Sequence, residues 1–125
     1  ELRQRRERAY LYVSHDLATV RTVSDRVVVL YLGTVVEEGP AGALFSRPLH
    51  PYTRALLSGV PSLHGSALAA PVELRQDLED SGISPGCVLA PRCPFAVGRC
   101  ATEPQALAEH GDGHRAACWR IPELV

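Results

Sequence analysis

Apolar and polar positions fall into short blocks along this chain, and each block reads as a separate element. Ala9-Tyr10-Leu11-Tyr12-Val13 is a continuous apolar run rich in β formers. It predicts a strand covered on both faces, as in a parallel sheet. Ser14-His15-Asp16 interrupt the run. Asp16 or Ser14 offers an oxygen to the free N–H groups of a first helical turn, so a helix is predicted next. Leu17, Val20, Val23 and Val27 are spaced for one buried face, and Ser24-Asp25 end the helix. Residues 26–32 carry Val27-Val28-Val29-Leu30-Tyr31, a second buried strand. Gly33 supplies a turn, Thr34-Val35-Val36-Glu37-Glu38 returns as an antiparallel partner, and Gly39-Pro40 closes it. Ala41–Phe45 predicts a short helix with Pro at its first turn, and Tyr52–Val60 another, ended by Pro61. Residues 9–60 therefore read β-α-β-β-α-α, the end of an α/β domain.

Outside that stretch the pattern weakens. Residues 1–8 are charged helix formers and read as the solvated end of a helix. Ser62–Ala70 reads as a linker, and Val72-Glu73-Leu74 as a short strand. From Ser81 onward periodicity fades while Gly, Pro and all four cysteines gather, so this part is expected to need a disulfide or metal staple. Glu37 and Glu38, on a hairpin arm, are expected in solvent. Trp119 is expected to pack, and Asp25 and Arg26 to cap and pair at a helix–strand junction.

Composition narrows the function classes. The chain has 125 residues, 46% apolar and 22% charged, which suits one domain. Thirteen basic and fourteen acidic residues leave a formal charge of −1, against nucleic-acid binding through bulk charge. No apolar run approaches the ~20 residues needed to cross a bilayer, and no signal peptide opens the chain. Met, Lys and Asn are absent. The chain is expected to be the C-terminal piece of something longer, with part of its apolar surface covered by residues outside it.

His15 stands where a strand end meets a helix start, a place that favours anions. On those grounds alone it is open between a helix-capping or surface residue and a phosphate ligand. The runs Val13-Ser14-His15-Asp16-Leu17, Ser24-Asp25-Arg26-Val27-Val28-Val29-Leu30 and Gly33-Thr34-Val35-Val36-Glu37-Glu38-Gly39 resemble the C-terminal part of an ABC transporter ATP-binding subunit. The resemblance implies that His15 is the switch histidine, a catalytic and nucleotide-binding residue that contacts the γ-phosphate of ATP. ATP and Mg²⁺ would then be held mainly by an N-terminal part. With no Lys in the chain there is no G-x-x-x-x-G-K-S/T loop, and no acidic strand end of the Walker B kind and no LSGGQ-like stretch appears. The chain alone is expected neither to bind ATP tightly nor to hydrolyse it.

The stretch from Phe45 to Leu57, with His50-Pro51-Tyr52-Thr53-Arg54-Ala55-Leu56 at its centre, is similar to an extension of the oligopeptide, dipeptide and nickel importer ATPases. Read residue by residue it is an appended helix packing on the domain. The resemblance implies two transmembrane permease subunits, a second ATP-binding subunit and, indirectly, a solute-binding protein as partners. It implies a peripheral place on the cytoplasmic face of the membrane.

Cys87, Cys93, Cys100 and Cys118 are spaced C-x5-C-x6-C-x17-C. Spacing alone leaves open a metal on four thiolates, two disulfides, or reduced packed thiols, with His114 or His110 able to replace one Cys in a zinc site. Gly86-Cys87 and Arg92-Cys93-Pro94 are similar to the cysteine-bearing tail of the same importer ATPases. That resemblance implies a [4Fe–4S] cluster ahead of zinc. Val88-Leu89 and the acidic approach through Asp77, Glu79 and Asp80 depart from its pattern. The expected fold class is α/β: the C-terminal part of a P-loop NTPase (ABC ATPase) domain over residues 1–60, then a small loop-rich cysteine-containing extension over 61–125. The alternatives from other classes are a stand-alone metal-binding regulatory module and an inactive remnant.

Overall fold

The computed structural model describes residues 8–60, 71–76 and 84–124. The predicted N-terminal helix and the predicted linker fall mainly outside them. The elements in order are helix α1 (Leu17–Val23), strands β1 (Arg26–Tyr31) and β2 (Thr34–Pro40), and helices α2 (Ala41–Ser46) and α3 (Pro51–Ser58). A 3₁₀ turn (Ala90–Arg92), helix α4 (Gly98–Thr102), strands β3 (Ala108–Glu109) and β4 (Arg115–Ala116) and helix α5 (Ile121–Leu124) follow. The four strands form one antiparallel sheet in the order β1-β2-β4-β3.

The central hairpin follows from its sequence. Tyr31 pairs with Thr34 across a two-residue turn in which Leu32 (φ 47°) and Gly33 (φ 76°) are both left-handed. Positive φ at both central positions is the mirror-image turn whose twist suits a hairpin. Gly33 adopts it freely, whereas at Leu32 the Cβ crowds the following carbonyl oxygen. Leu32 is exposed, so Leu32→Asn is expected to raise stability by about 1 kcal/mol, read as a higher thermal unfolding midpoint.

β1 is not covered on both faces. Val29 and Tyr31 are buried, while Val28 and Leu30 are about half exposed. Residues 10–13 form no strand; Leu11 is 95% exposed and Val13 87%. Apolar β formers make a strand only when a neighbour completes the hydrogen-bond ladder, and no described segment lies beside them. The predicted strand at Val72-Glu73-Leu74 is likewise extended chain without a ladder, although Val72 is buried.

The inner face of the hairpin carries the core. Val29, Tyr31, Val36, Leu44, Leu89 and Cys93 form one cluster, so the first sixty residues and the cysteine segment share a hydrophobic centre. Tyr31 and Tyr52 meet with ring centroids 4.6 Å apart. Val20, Ala41, Phe45 and Leu57 form a second cluster that fixes α1, α2 and α3 together. Leu49, Ala116 and Ile121 form a third, where the C-terminal segment closes over the loop before α3. Each fully buried Leu, Val or Phe contributes about 1.5–3 kcal/mol against exposure.

The register of β2 is broken at one point. Val29 pairs with Glu37 but Leu30 with Val35, leaving Val36 as an extra residue. Such a bulge turns two successive side chains towards one side. Val36 and Glu37 are consequently both buried, and the expectation that Glu37 sits in solvent is overturned: it is 0% exposed. Glu38, back in alternation, is only partly exposed and pairs with Arg115 at 2.8 Å.

Candidate functional site

Three groups of side chains carry chemistry. The first is Ser14-His15-Asp16. Ser14 Oγ accepts the Asp16 N–H at 3.0 Å, and Asp16 Oδ1 accepts the Ala18 and Thr19 N–H groups, each at 3.2 Å. Asp16 is thus the N-cap of α1. Hydrogen bonds from the Thr19 hydroxyl and backbone hold its carboxyl below the usual range. The residues on either side of His15 are committed to the turn and the cap, and His15 itself is exposed.

The second group centres on Glu37 and was not found by sequence reasoning. Its Oε1 accepts the Leu49 N–H at 2.9 Å and faces His114 Nε2 at 2.7 Å, while Oε2 accepts the His50 N–H at 2.8 Å. His50 and His114 are each only 1% exposed. The His50 ring caps α3, its Nδ1 accepting the Tyr52 N–H at 3.2 Å. Burial pushes its pKa down to about 4, against the opposing charge of Glu37. His114 is thus engaged by a carboxylate through Nε2.

The third group is the cysteines. All four are free thiols: Cys93 and Cys100 are buried, Cys87 and Cys118 partly buried. Paired backbone hydrogen bonds, Gly86 N–H to Ala101 O at 3.2 Å and Cys87 N–H to Cys100 O at 2.7 Å, bring the Cys87 and Cys100 segments together. Gly86 is required there, because a Cβ at this position would run into the backbone of residues 100–102. Burial raises the pKa of Cys87 and Cys93 and takes Cys118 to about 11. The Leu89 and Ala90 amides at Cys87, the Phe95 amide at Cys93 and the Arg120 amide at Cys118 act the other way, favouring thiolate. A negative charge on Cys118 is opposed by charge on Cys93, Cys87 and Cys100, so the four sulfurs share one electrostatic neighbourhood. Soft thiols with inward amides suit a soft cation in their chemistry. Their positions do not enclose one: among the described residues no three His, Cys, Asp or Glu side chains stand in metal-binding geometry. Trp119 beside this group is not simply packed; it is 37% exposed under the Arg99 guanidinium, 3.6 Å from its ring centroid.

No helix among the described residues is long and apolar enough to cross a membrane. A peptide import ATP-binding protein of Brucella ovis, so named, is 46% identical over 121 residues, covering 96% of this chain and 38% of that protein. A protein of Sinorhizobium fredii named as a peptide ABC transporter ATP-binding protein is 39% identical over 132 residues, covering all of this chain and 38% of its own length. The di/tripeptide transport ATP-binding protein DppF of Pseudomonas aeruginosa is 44% identical over 104 residues, covering 82% of this chain and 32% of its own. The chain thus spans about a third of the length of these relatives. Residues 36–100, just over half of the chain, match the family model for the C-terminal region of oligopeptide/dipeptide transporters, and the chain belongs to that family.

Proposed function

We propose that this chain works as the C-terminal part of the ATP-binding subunit of a peptide-type ABC importer. The observation that carries the reading is the family match over residues 36–100, extended by relatives named as peptide import ATP-binding proteins. In this reading His15, exposed ahead of α1, donates a hydrogen bond to the γ-phosphate oxygen of ATP. Ser14 and Asp16 hold the backbone on either side so that the ring stays turned outward. The phosphate loop and the Mg²⁺ ligands come from a preceding part, since this chain has no Lys. Catalysis by such a site is mostly positioning plus electrostatic stabilisation, and one imidazole supplies only a share of it.

Residues 1–60 then complete the ATPase domain and residues 61–125 form its extension. The exposed apolar side chains of Tyr10, Leu11, Val13, Val28 and Leu30 support burial against a larger domain. The partners are a second ATP-binding subunit, two permease subunits on the cytoplasmic face of the membrane and, through them, a solute-binding protein. The solute is a peptide, with nickel chelates as the alternative. The test is a chimera in which this chain replaces the matching 121 residues of the 46% identical relative. The chimera is expected to hydrolyse ATP and the isolated chain is not. A folded, ATP-binding chimera without turnover would overturn the reading.

A second reading concerns the cysteines. We infer that Cys87, Cys93, Cys100 and Cys118 hold a metal, a [4Fe–4S] cluster ahead of zinc. The shared field of the four thiols supports it. Anaerobic purification with iron, sulfide and zinc analysis tests it; protein free of all three after reconstitution would refute it.

A further inference from the structure

The geometry points to an acid-sensitive latch: Glu37, with His50 and His114, holds both the β3–β4 hairpin and the start of α3 on the sheet, and acid releases the two together. One carboxylate, wholly buried, ties three segments that also meet through the Leu49, Ala116 and Ile121 cluster and the Ala117 N–H to Val36 O hydrogen bond. β4 meets β2 through only two residue pairs, Glu37 with Ala116 and Glu38 with Arg115. The hairpin needs His114 to lie flat on β2. A Cβ on Gly39 would stand 2.9 Å from its Cδ2, so glycine is what lets the ring reach Glu37. The loop before α3 is fixed by the Leu49 and His50 amides on the same carboxylate.

The His50 ring is set for the neutral state. His50 Nδ1 accepts the Tyr52 N–H, a role it loses on taking a proton. His114 directs Nε2 at Glu37 and has a buried Nδ1 with no protein partner. The surrounding charges are otherwise occupied. Arg54 Nε donates to Pro48 O at 3.0 Å and Arg26 to Gly113 O at 3.2 Å. Glu109 accepts the Gly113 N–H at 2.7 Å, and Arg115 pairs with Glu38. His110, opposite His114 in the hairpin, has a buried Nε2 with no protein partner. At His50 the Glu37 charge favours protonation, against burial and the lost acceptor.

In the open state the His50 ring reaches water and takes a proton below about pH 6.5. Each proton bound only when open favours opening by up to about tenfold per pH unit. Hydrogen–deuterium exchange on the whole chain, corrected for intrinsic rates, tests the latch between pH 7.5 and 5. The expected result is that the segments around residues 49–53 and 108–118 lose protection together, at least about tenfold, while β1 and the start of β2 keep theirs. His50→Asn, which retains a capping acceptor but cannot titrate, is expected to remove part of that acid sensitivity, and Glu38→Gln none of it. Unchanged protection at pH 5, added protection from an imidazolium–carboxylate pair, or loss in step with β1 would each overturn the latch.

Discussion

Glu37→Ala is expected to cost about 4 kcal/mol of folding stability, measured by urea unfolding with Trp119 fluorescence as the signal. The carboxylate is 0% exposed and accepts two backbone N–H groups while facing one imidazole. Truncation leaves three buried donors without an acceptor, each costing about 1–3 kcal/mol before relaxation and water entry reduce the sum. Glu37→Gln is expected to lose less, about 2 kcal/mol. Its oxygen can still serve Leu49 and His114, but its amide then faces the His50 N–H, donor against donor. Glu38→Ala is the contrast. Its pair with Arg115 lies on the open face, Arg115 being 45% exposed, and such pairs contribute at most about 1 kcal/mol. If Glu37→Ala lies within about 1 kcal/mol of wild type, the buried hub described here is wrong.

Stability is expected to fall in acid through His50. Burial takes this ring from an ordinary value of 6.5 down to about 4, outweighing the Glu37 charge that pulls the other way. The unfolded chain therefore binds a proton that the folded chain refuses. The contribution is fully present above pH 6.5, declines as pH falls, and is exhausted near pH 4. The total is about 3 kcal/mol. The comparison is made between wild type and His50→Asn, which isolates this ring from every other group. The variant's curve is expected to run flatter from pH 6.5 to 4, and parallel curves would show that His50 is not the group.

The hairpin and α1 were legible because their signals are local. Gly33 between two apolar runs and Asp16 ahead of Leu17 state their own geometry. Residues 10–13 misled because a strand depends on what lies beside it. The two-residue strands β3 and β4 were invisible because Ala108-Glu109 and Arg115-Ala116 carry no periodicity; the sheet they join recruits them. Glu37 was missed for a definite reason. Alternation from Val36 places it outward, and only the bulge, which sequence does not announce, turns it in. The disulfide or metal staple expected for the cysteine segment is not present among the described residues, where the four cysteines are free thiols and Leu89 and Cys93 pack into the core instead. The pairing of Cys87 with the Cys100 backbone was not legible in the sequence.

The central claim is that His15 works at the terminal phosphate of a nucleotide held by another part of the protein. It is tested most directly by ATP hydrolysis in the chimera that joins this chain to the N-terminal part of its relative, with and without His15→Ala. Loss of one positioned donor to developing charge is expected to lower kcat by about 100-fold, with the KM for ATP little changed. A His15→Ala chimera that hydrolyses ATP at the wild-type rate would contradict the account.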